Sequence, residues 1–251
     1  MAANRTEGFP GTGGSPAFHR DRPHDLRRAT PWHRYAHHIR TLPGRLEALA
    51  PELRVPPGGR VLDYGCADTP YRRFFEPGLE YVPADLEGNP DATLILNPDG
   101  TVPADEHTFD AVLSTQVLEH VEDPGLYLDE CFRVLRPGGR LLLSTHGIFV
   151  YHPDPVDYWR WTCAGLQRAV AQAGFEIERF EGIIGLAATG LQLVQDAVYY
   201  RVPYRRLQQL IAFVFQALMG LADRLEGQVS RDMNASVFAV VASKPGPAAD
   251  A

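Results

Sequence analysis

Val61-Leu62-Asp63-Tyr64-Gly65-Cys66-Ala67-Asp68 is the segment from which the architecture can be read. The apolar run Arg60–Tyr64 emerges from Pro56-Pro57-Gly58-Gly59 and carries an acid two positions before a glycine. This is the pattern of a buried strand entering a tight turn, where glycine lets the backbone fold closely beside a ligand. Twenty positions beyond Gly65 stands Asp85, at the end of a second strand-like run, Glu80–Ala84. An acid there is placed to accept the hydroxyls of a ribose. The loop Gly65-Cys66-Ala67-Asp68-Thr69-Pro70 lacks the G-x-G-x-x-G that seats a pyrophosphate on a helix N-terminus, which disfavours a nicotinamide dinucleotide. Two acids and a tight turn suit a cationic nucleoside better.

Outward from this point, short apolar runs alternate with helical patterns. A third strand is predicted over Ala92–Leu96, before the turn cluster Asn97-Pro98-Asp99-Gly100. A fourth covers Phe109–Ser114, and a fifth covers Arg140–Thr145 after Pro137-Gly138-Gly139. Thr30-Pro31, Thr69-Pro70 and Asp123-Pro124 each read as an N-cap followed by proline at the first helical position. The helix from Thr30 carries Trp32, Tyr35, Ile39 and Leu42 at helical spacing and is expected to stop at Pro43-Gly44. A helix over Thr162–Ala173, a strand over Phe175–Phe180 and a last strand over Ala235–Ala242 follow. Strands alternating with helices mean βαβ units in an α/β fold with a mostly parallel sheet, whose ligands sit beyond the carboxyl ends of the strands. Residues 1–29, rich in Gly, Pro and Arg, are expected to be a disordered arm. Residues 30–245 form one domain with a helical insertion over about 186–226, and 246–251 a tail.

Five pieces in this order and spacing resemble the class I methyltransferase superfamily, in its ubiquinone and small-molecule branch. They are Val61-Leu62-Asp63-Tyr64-Gly65-Cys66, Asp85, and Val102-Pro103 followed by Phe109-Asp110-Ala111-Val112. Next come Val117-Leu118-Glu119-His120-Val121 and Arg133-Val134-Leu135-Arg136-Pro137-Gly138-Gly139-Arg140-Leu141. Together they span about residues 59–146. Asp157-Tyr158-Trp159-Arg160-Trp161-Thr162 is similar to a subgroup met in glycan and natural-product settings.

The resemblance implies a Rossmann-like sheet of seven strands with the last antiparallel, and S-adenosyl-L-methionine as cofactor. It further implies that Asp63 and Gly65, with Cys66 and Ala67, hold the methionine end, and that Asp85, with Leu86, holds the ribose. Asp99 and Gly100 would lie near adenine, and Thr115 and Gln116 would line the floor beside the sulfonium. One departure is plain: the glycines usual two and four residues after Gly65 are Ala67 and Thr69, which puts cofactor affinity in question.

A hydroxyl acceptor benefits from a general base near its proton, and the candidates are His120, His146, directly after the fifth strand, and His152. Asp154 and Asp157 stand near enough in sequence to orient the ring of His152. Glu119-His120 reads first as a pair fixing its loop. Tyr158, Trp159 and Arg160 are candidates for an acceptor-binding wall, or for anchors of their own loop. His33 and His37 lack a third ligand at a useful spacing, and Thr115-Gln116-Val117 offers no acids for a catechol-type metal, so no metal is expected. The expected activity is methyl transfer to a hydroxyl of a small-molecule or sugar acceptor. A non-catalytic binding or assembly subunit on the same fold is the alternative.

Bulk properties set the outer bounds. A chain of 251 residues with 45% hydrophobic content can bury one α/β core. A formal charge of -7 argues against a nucleic-acid partner. Three widely spaced cysteines, without disulfide or zinc spacing, favour a cytoplasmic setting. There is no signal-peptide core and no expected transmembrane segment. The apolar stretch 186–226 reads as an acceptor tunnel, a homodimer surface or a membrane-facing element, with enclosure or dimerisation favoured over exposure.

Overall fold

The strand that carries Asp63 is central. In the computed structural model, which describes residues 29–153 and 156–246, Arg60–Tyr64 forms β1. It pairs in parallel with β2 (Glu80–Asp85) on one side and β4 (Phe109–Thr115) on the other. With β3 (Leu94–Ile95), β5 (Leu135–His146), β6 (Glu176–Gly185) and β7 (Ala235–Ser243) they make a seven-stranded sheet, ordered β3-β2-β1-β4-β5-β7-β6. Only β7 is reversed, antiparallel to both β5 and β6, as the resemblance implied for the last strand. The expected arm short of Ala29, the tail beyond Gly246, and Asp154 lie outside the described residues.

Helices cover both faces of the sheet, so its central strands are mostly buried and apolar. Successive side chains point to opposite faces: Leu141 and Leu143 enter one core layer, Leu142 the other. The first layer is closed by α2 (Pro124–Val134) and α3 (Cys163–Gln172), capped by the side chains of Asp123 and Thr162. The second is closed by α1 (Ala36–Leu49), α4 (Leu186–Tyr199) and α5 (Arg205–Leu225), which contribute Leu46, Ala188 and Met219. A short α6 (Gln228–Met233) leads into β7. Lys244, the chain's sole lysine, donates to the carbonyls of Phe132 and Leu135 and so satisfies groups left open at the end of α2.

Three local expectations are corrected. The first helix does not run from Thr30 to Pro43: it begins at Ala36 and continues through Pro43 to Leu49. An interior proline costs about 3 kcal/mol, but Leu46 and Leu49 lie beyond it, and burying each returns about 1.5–3 kcal/mol. Thr69-Pro70 opens no α-helix. Thr69 has φ +51°, incompatible with an N-cap in extended conformation, and only a short turn of 3-10 helix, Arg72–Phe74, follows. The third strand keeps only Leu94–Ile95 of the predicted five residues, because it is an edge strand paired with β2 alone. The 186–226 stretch is the α4–α5 pair. One side of α5 buries Ala212, Gln216 and Met219 while Leu210, Phe213, Leu218 and Leu221 remain exposed. No helix among the described residues is long and apolar enough to cross a membrane.

Candidate functional site

The strand order reverses between β1 and β4, and a cavity of about 1260 Å³ opens there at the carboxyl ends of the strands. Its volume accommodates a nucleoside cofactor together with a second small molecule. One end is built by the turns after β1, β2 and β3, the other by the segments after β4 and β5 and by α1.

At the first end, Gly65 takes φ +84°, and its amide and that of Cys66 both donate to the Ala84 carbonyl. A side chain there would collide with Val117, since a Cβ would lie 2.5 Å from Val117 Cγ2. Ala67 (φ +45°) and Thr69 (φ +51°) also sit in the left-handed region. The loop therefore keeps the backbone shape for which glycine is usual, with strain carried by its alanine and threonine. Asp85 ties the loops together. Its Oδ2 accepts from the Ala67 amide (3.0 Å) and Asn89 Nδ2 (2.6 Å), and its Oδ1 from the Leu86 amide (2.8 Å). Asn89, which also donates to the Ala67 carbonyl, lines the cavity and was not singled out by the sequence. Its only sequence signal is its place four positions after Asp85, before a proline.

Asp63 is placed differently from the expectation. It is 1% exposed, accepts from the Tyr81 hydroxyl, and does not line the cavity. Burial raises its carboxyl to about 7, against the Tyr81 hydrogen bond and helped by the charge of Asp85. Its Oδ1 has no hydrogen-bond partner, so the site's innermost acid retains an unused acceptor. Cys66 is also corrected: it is buried behind the loop, and desolvation pushes its thiol up to about 12. Asp99 and Gly100 line the cavity, yet the Asp99 Oδ1 accepts from the Thr101 amide and hydroxyl, closing its own turn and lowering its pKa. Tyr64 and Tyr127, stacked with centroids 4.2 Å apart, add an aromatic wall.

Thr115 ends β4, and Gln116 (φ +58°) turns the chain into the cavity while bonding back to Ser144. Beyond it lies a polar cluster. Glu119 is fully buried: Oε2 accepts from Thr145 Oγ1 (2.8 Å), and Oε1 has no hydrogen-bond partner. Facing Oε1 are His146 Nε2 at 3.5 Å and His120 Nε2 at 4.0 Å. The His152 ring lies edge-on to both imidazoles, at 4.7 and 4.9 Å between centroids. Phe149 stacks on His146 at 4.1 Å. Burial, then the neighbouring His152 and Arg160, holds His146 well below the usual histidine pKa. His38, on α1, is likewise pulled down to about 3 by burial and bonds Ser236. Glu119 is pushed up, chiefly by desolvation.

The loop after β5 is anchored by residues read as candidates for an acceptor wall. The Arg160 guanidinium donates to the Phe149 and Val150 carbonyls and pairs with Asp157. Trp159 Nε1 donates to the Val121 carbonyl. Neither lines the cavity, so both are loop anchors, whereas Tyr158 does line it, its hydroxyl bonded to Glu122. Burial opposes ionisation of Asp157, but hydrogen bonds from His152 and Arg160 outweigh it and hold the carboxyl below its ordinary range. His33 and His37 form no ligand pair: His37 is 3.0 Å from Asp223, and His33 Nδ1 accepts from the Tyr35 amide.

The sequence profile of a family described as a methyltransferase domain matches residues 32–179. A Mycolicibacterium smegmatis protein named "Probable S-adenosylmethionine-dependent methyltransferase" is 35% identical over 88 residues, 33% of this chain and 34% of its own length. The "Ubiquinone biosynthesis O-methyltransferase" of Dinoroseobacter shibae is 39% identical over 105 residues, 35% of this chain and 41% of its own. The chain thus spans well under half the length of these curated relatives. Among solved structures, that of the "[4+2]-Cyclase SpnF" superposes with a TM-score of 0.52 at 19% identity, covering 80% of each chain, a likeness of fold alone.

Proposed function

Because the chain belongs to the methyltransferase-domain family, we propose that it transfers a methyl group from S-adenosyl-L-methionine to a hydroxyl of a small-molecule or sugar acceptor. The observation that carries this reading is the two-ended cavity: an acid-organised turn at Gly65 and Asp85, and a cluster of buried imidazoles opposite. When bound, S-adenosyl-L-methionine supplies a sulfonium methyl, and its sulfur retains the electron pair of the broken C–S bond.

The chain's own residues do the rest. Asp85 and the backbone around Ala67 fix the nucleoside end, and a cationic group brought close to Asp63 would favour ionisation of its raised carboxyl. Tyr64 and Tyr127 offer a flat apolar wall to an aromatic base or acceptor. Phe149 and the buried His146 exclude water from the acceptor end, where a neutral imidazole nitrogen can take a hydroxyl proton. The acidic charge and the names of the relatives support a small acceptor over a nucleic acid.

Isotope-labelled cofactor incubated with a panel of phenols, sugars and amines tests this reading. Label is expected in a hydroxyl-bearing acceptor, as an ether resistant to mild base. Tight cofactor binding by calorimetry with no labelled product across the panel would count against catalysis, and labelling of amines alone against the hydroxyl.

A further inference from the structure

We propose that Glu119, His120 and His152, with His146 alongside, form a binding site for a divalent transition-metal ion at the acceptor end of the cavity. Among the described residues, one ligand atom from each of Glu119, His120 and His152 falls within 4.8 Å of the others. No two of the three come from one regular element: Glu119 and His120 follow β4, and His152 lies in the loop after β5.

The hydrogen bonds around the cluster leave it short of positive charge. His120 Nδ1 lies 2.6 Å from the Val156 carbonyl, an acceptor only, so Nδ1 carries the proton and Nε2 presents a lone pair. That lone pair faces Glu119 Oε1, an oxygen that is fully buried and has no hydrogen-bond partner. His146 Nε2 faces the same oxygen. The His120 lone pair and the Glu119 oxygen, two acceptors turned toward one another in a buried space, are stabilised by a cation between them. The surroundings also have the form of a metal site's outer shell. Each first ligand is oriented from behind: His120 by the Val156 carbonyl, His152 by Asp157 Oδ2 at 3.4 Å from its Nδ1, and Glu119 by the Thr145 hydroxyl. Arg160 in turn holds Asp157.

The donor set decides the class of ion. Two imidazoles and one carboxylate suit zinc, iron or cobalt, whereas magnesium and calcium prefer oxygen ligands. Such a set leaves coordination positions open toward the cavity, which His120 and His152 both line. The role of the ion rests on the methyltransferase reading. An acceptor hydroxyl entering an open position would be acidified and give its proton to the neutral imidazole of His146 beside it. Its oxygen would then form the new C–O bond as the C–S bond of the cofactor breaks, the pair staying on sulfur.

Cobalt(II) alone, titrated into the full chain after chelator treatment, is the probe. About one equivalent is expected to bind with the visible d–d absorption of a nitrogen-ligated site, and zinc to displace it. Glu119→Gln, which keeps the Thr145 bond, and His152→Asn, which keeps a donor toward Asp157, should each weaken cobalt binding by at least ~100-fold. Thermal unfolding and cofactor calorimetry on both variants show that they are folded. Failure of the folded wild-type chain to give the spectrum, or the same spectrum in both variants, overturns the site. Magnesium restoring activity where cobalt and zinc do not overturns the class of ion. Methylation undiminished by chelation overturns the catalytic role, whereas cobalt bound at these residues without methylation of any acceptor supports the site and refutes the methyltransferase reading.

Discussion

Replacing Gly65 by alanine tests the turn on which the cofactor end depends. The backbone at Gly65 has φ +84°, where an L-residue costs about 1–2 kcal/mol. The added Cβ would also lie 2.5 Å from Val117 Cγ2 and 3.0 Å from Cγ1. Relief requires moving a side chain that packs against the core, at about 1–3 kcal/mol. Together these predict a loss of about 2–5 kcal/mol, or roughly 5–15 °C in melting temperature for a domain of this size. The two parts separate by mutation. In a Val117→Ala background the nearest remaining atom of that residue is its Cβ, at 3.4 Å, an ordinary contact. The steric part then vanishes and the conformational part stays. Chemical denaturation of wild type, both single variants and the double variant should give a coupling energy of about 1–3 kcal/mol in favour of the double variant. A coupling under about 0.5 kcal/mol would refute the steric argument, and a cost below about 1 kcal/mol for Gly65→Ala would refute the strain.

Three further outcomes follow from the same geometry. The carboxyl of Asp63 is raised to about 7 by burial, so the folded chain holds a proton that the unfolded chain gives up at lower pH. Stability should therefore fall as pH rises from about 4 to about 7, at up to about 1.4 kcal/mol per unit, and level off above. Asp63→Asn should flatten that slope in denaturation curves, and equal slopes in the two proteins would sink the assignment. Thr69 is β-branched at φ +51°, so Thr69→Gly trades about 1–2 kcal/mol of strain against a smaller unfolded-state entropy. The variant should be as stable as wild type or up to about 1 kcal/mol more so, and a clear drop in thermal midpoint would contradict it. Asp85→Asn leaves one fewer charged acceptor for the Ala67 and Leu86 amides. Calorimetry with S-adenosyl-L-methionine should show affinity about 10–100-fold weaker, and unchanged affinity would remove Asp85 from the cofactor end.

The sheet was legible because its signal is local. Arg60–Tyr64 and Phe109–Ser114 are apolar runs bounded by turn residues, and each became a strand within a residue of its reading. Helix ends were harder, because tertiary burial decides them. Pro43 reads as a stop until Leu46 and Leu49 are seen against the sheet, and Thr69-Pro70 reads as a start until the backbone of Thr69 is seen to be left-handed. For the same reason Ala67 and Thr69 looked like a weakened cofactor loop. The structure shows the loop's shape kept at a cost in strain, so residue type there measures stability more than geometry. At the acceptor end, His146 and His152 stood out from their position after β5. Their relation to Glu119 did not, because more than twenty residues separate them and only the parallel pairing of β4 with β5 closes the gap.

That pairing also explains why the loop 149–160 carries so many anchors outside the cavity. A loop leaving the end of β5 has no strand ladder to fix it, so its backbone groups must find partners in side chains and in the backbone of neighbouring segments. Arg160 takes two of its carbonyls, the Asp157 carboxylate accepts from the His152 amide, and the Glu119 carbonyl accepts the Tyr158 and Trp159 amides. Asp157 links them: it receives the Arg160 guanidinium on one side and faces the His152 ring on the other. The position of His152 is therefore set by a charge pair that does not itself line the cavity. A change at Arg160 reaches the His152 ring through Asp157, which is how the loop holds a buried ring in register with Glu119.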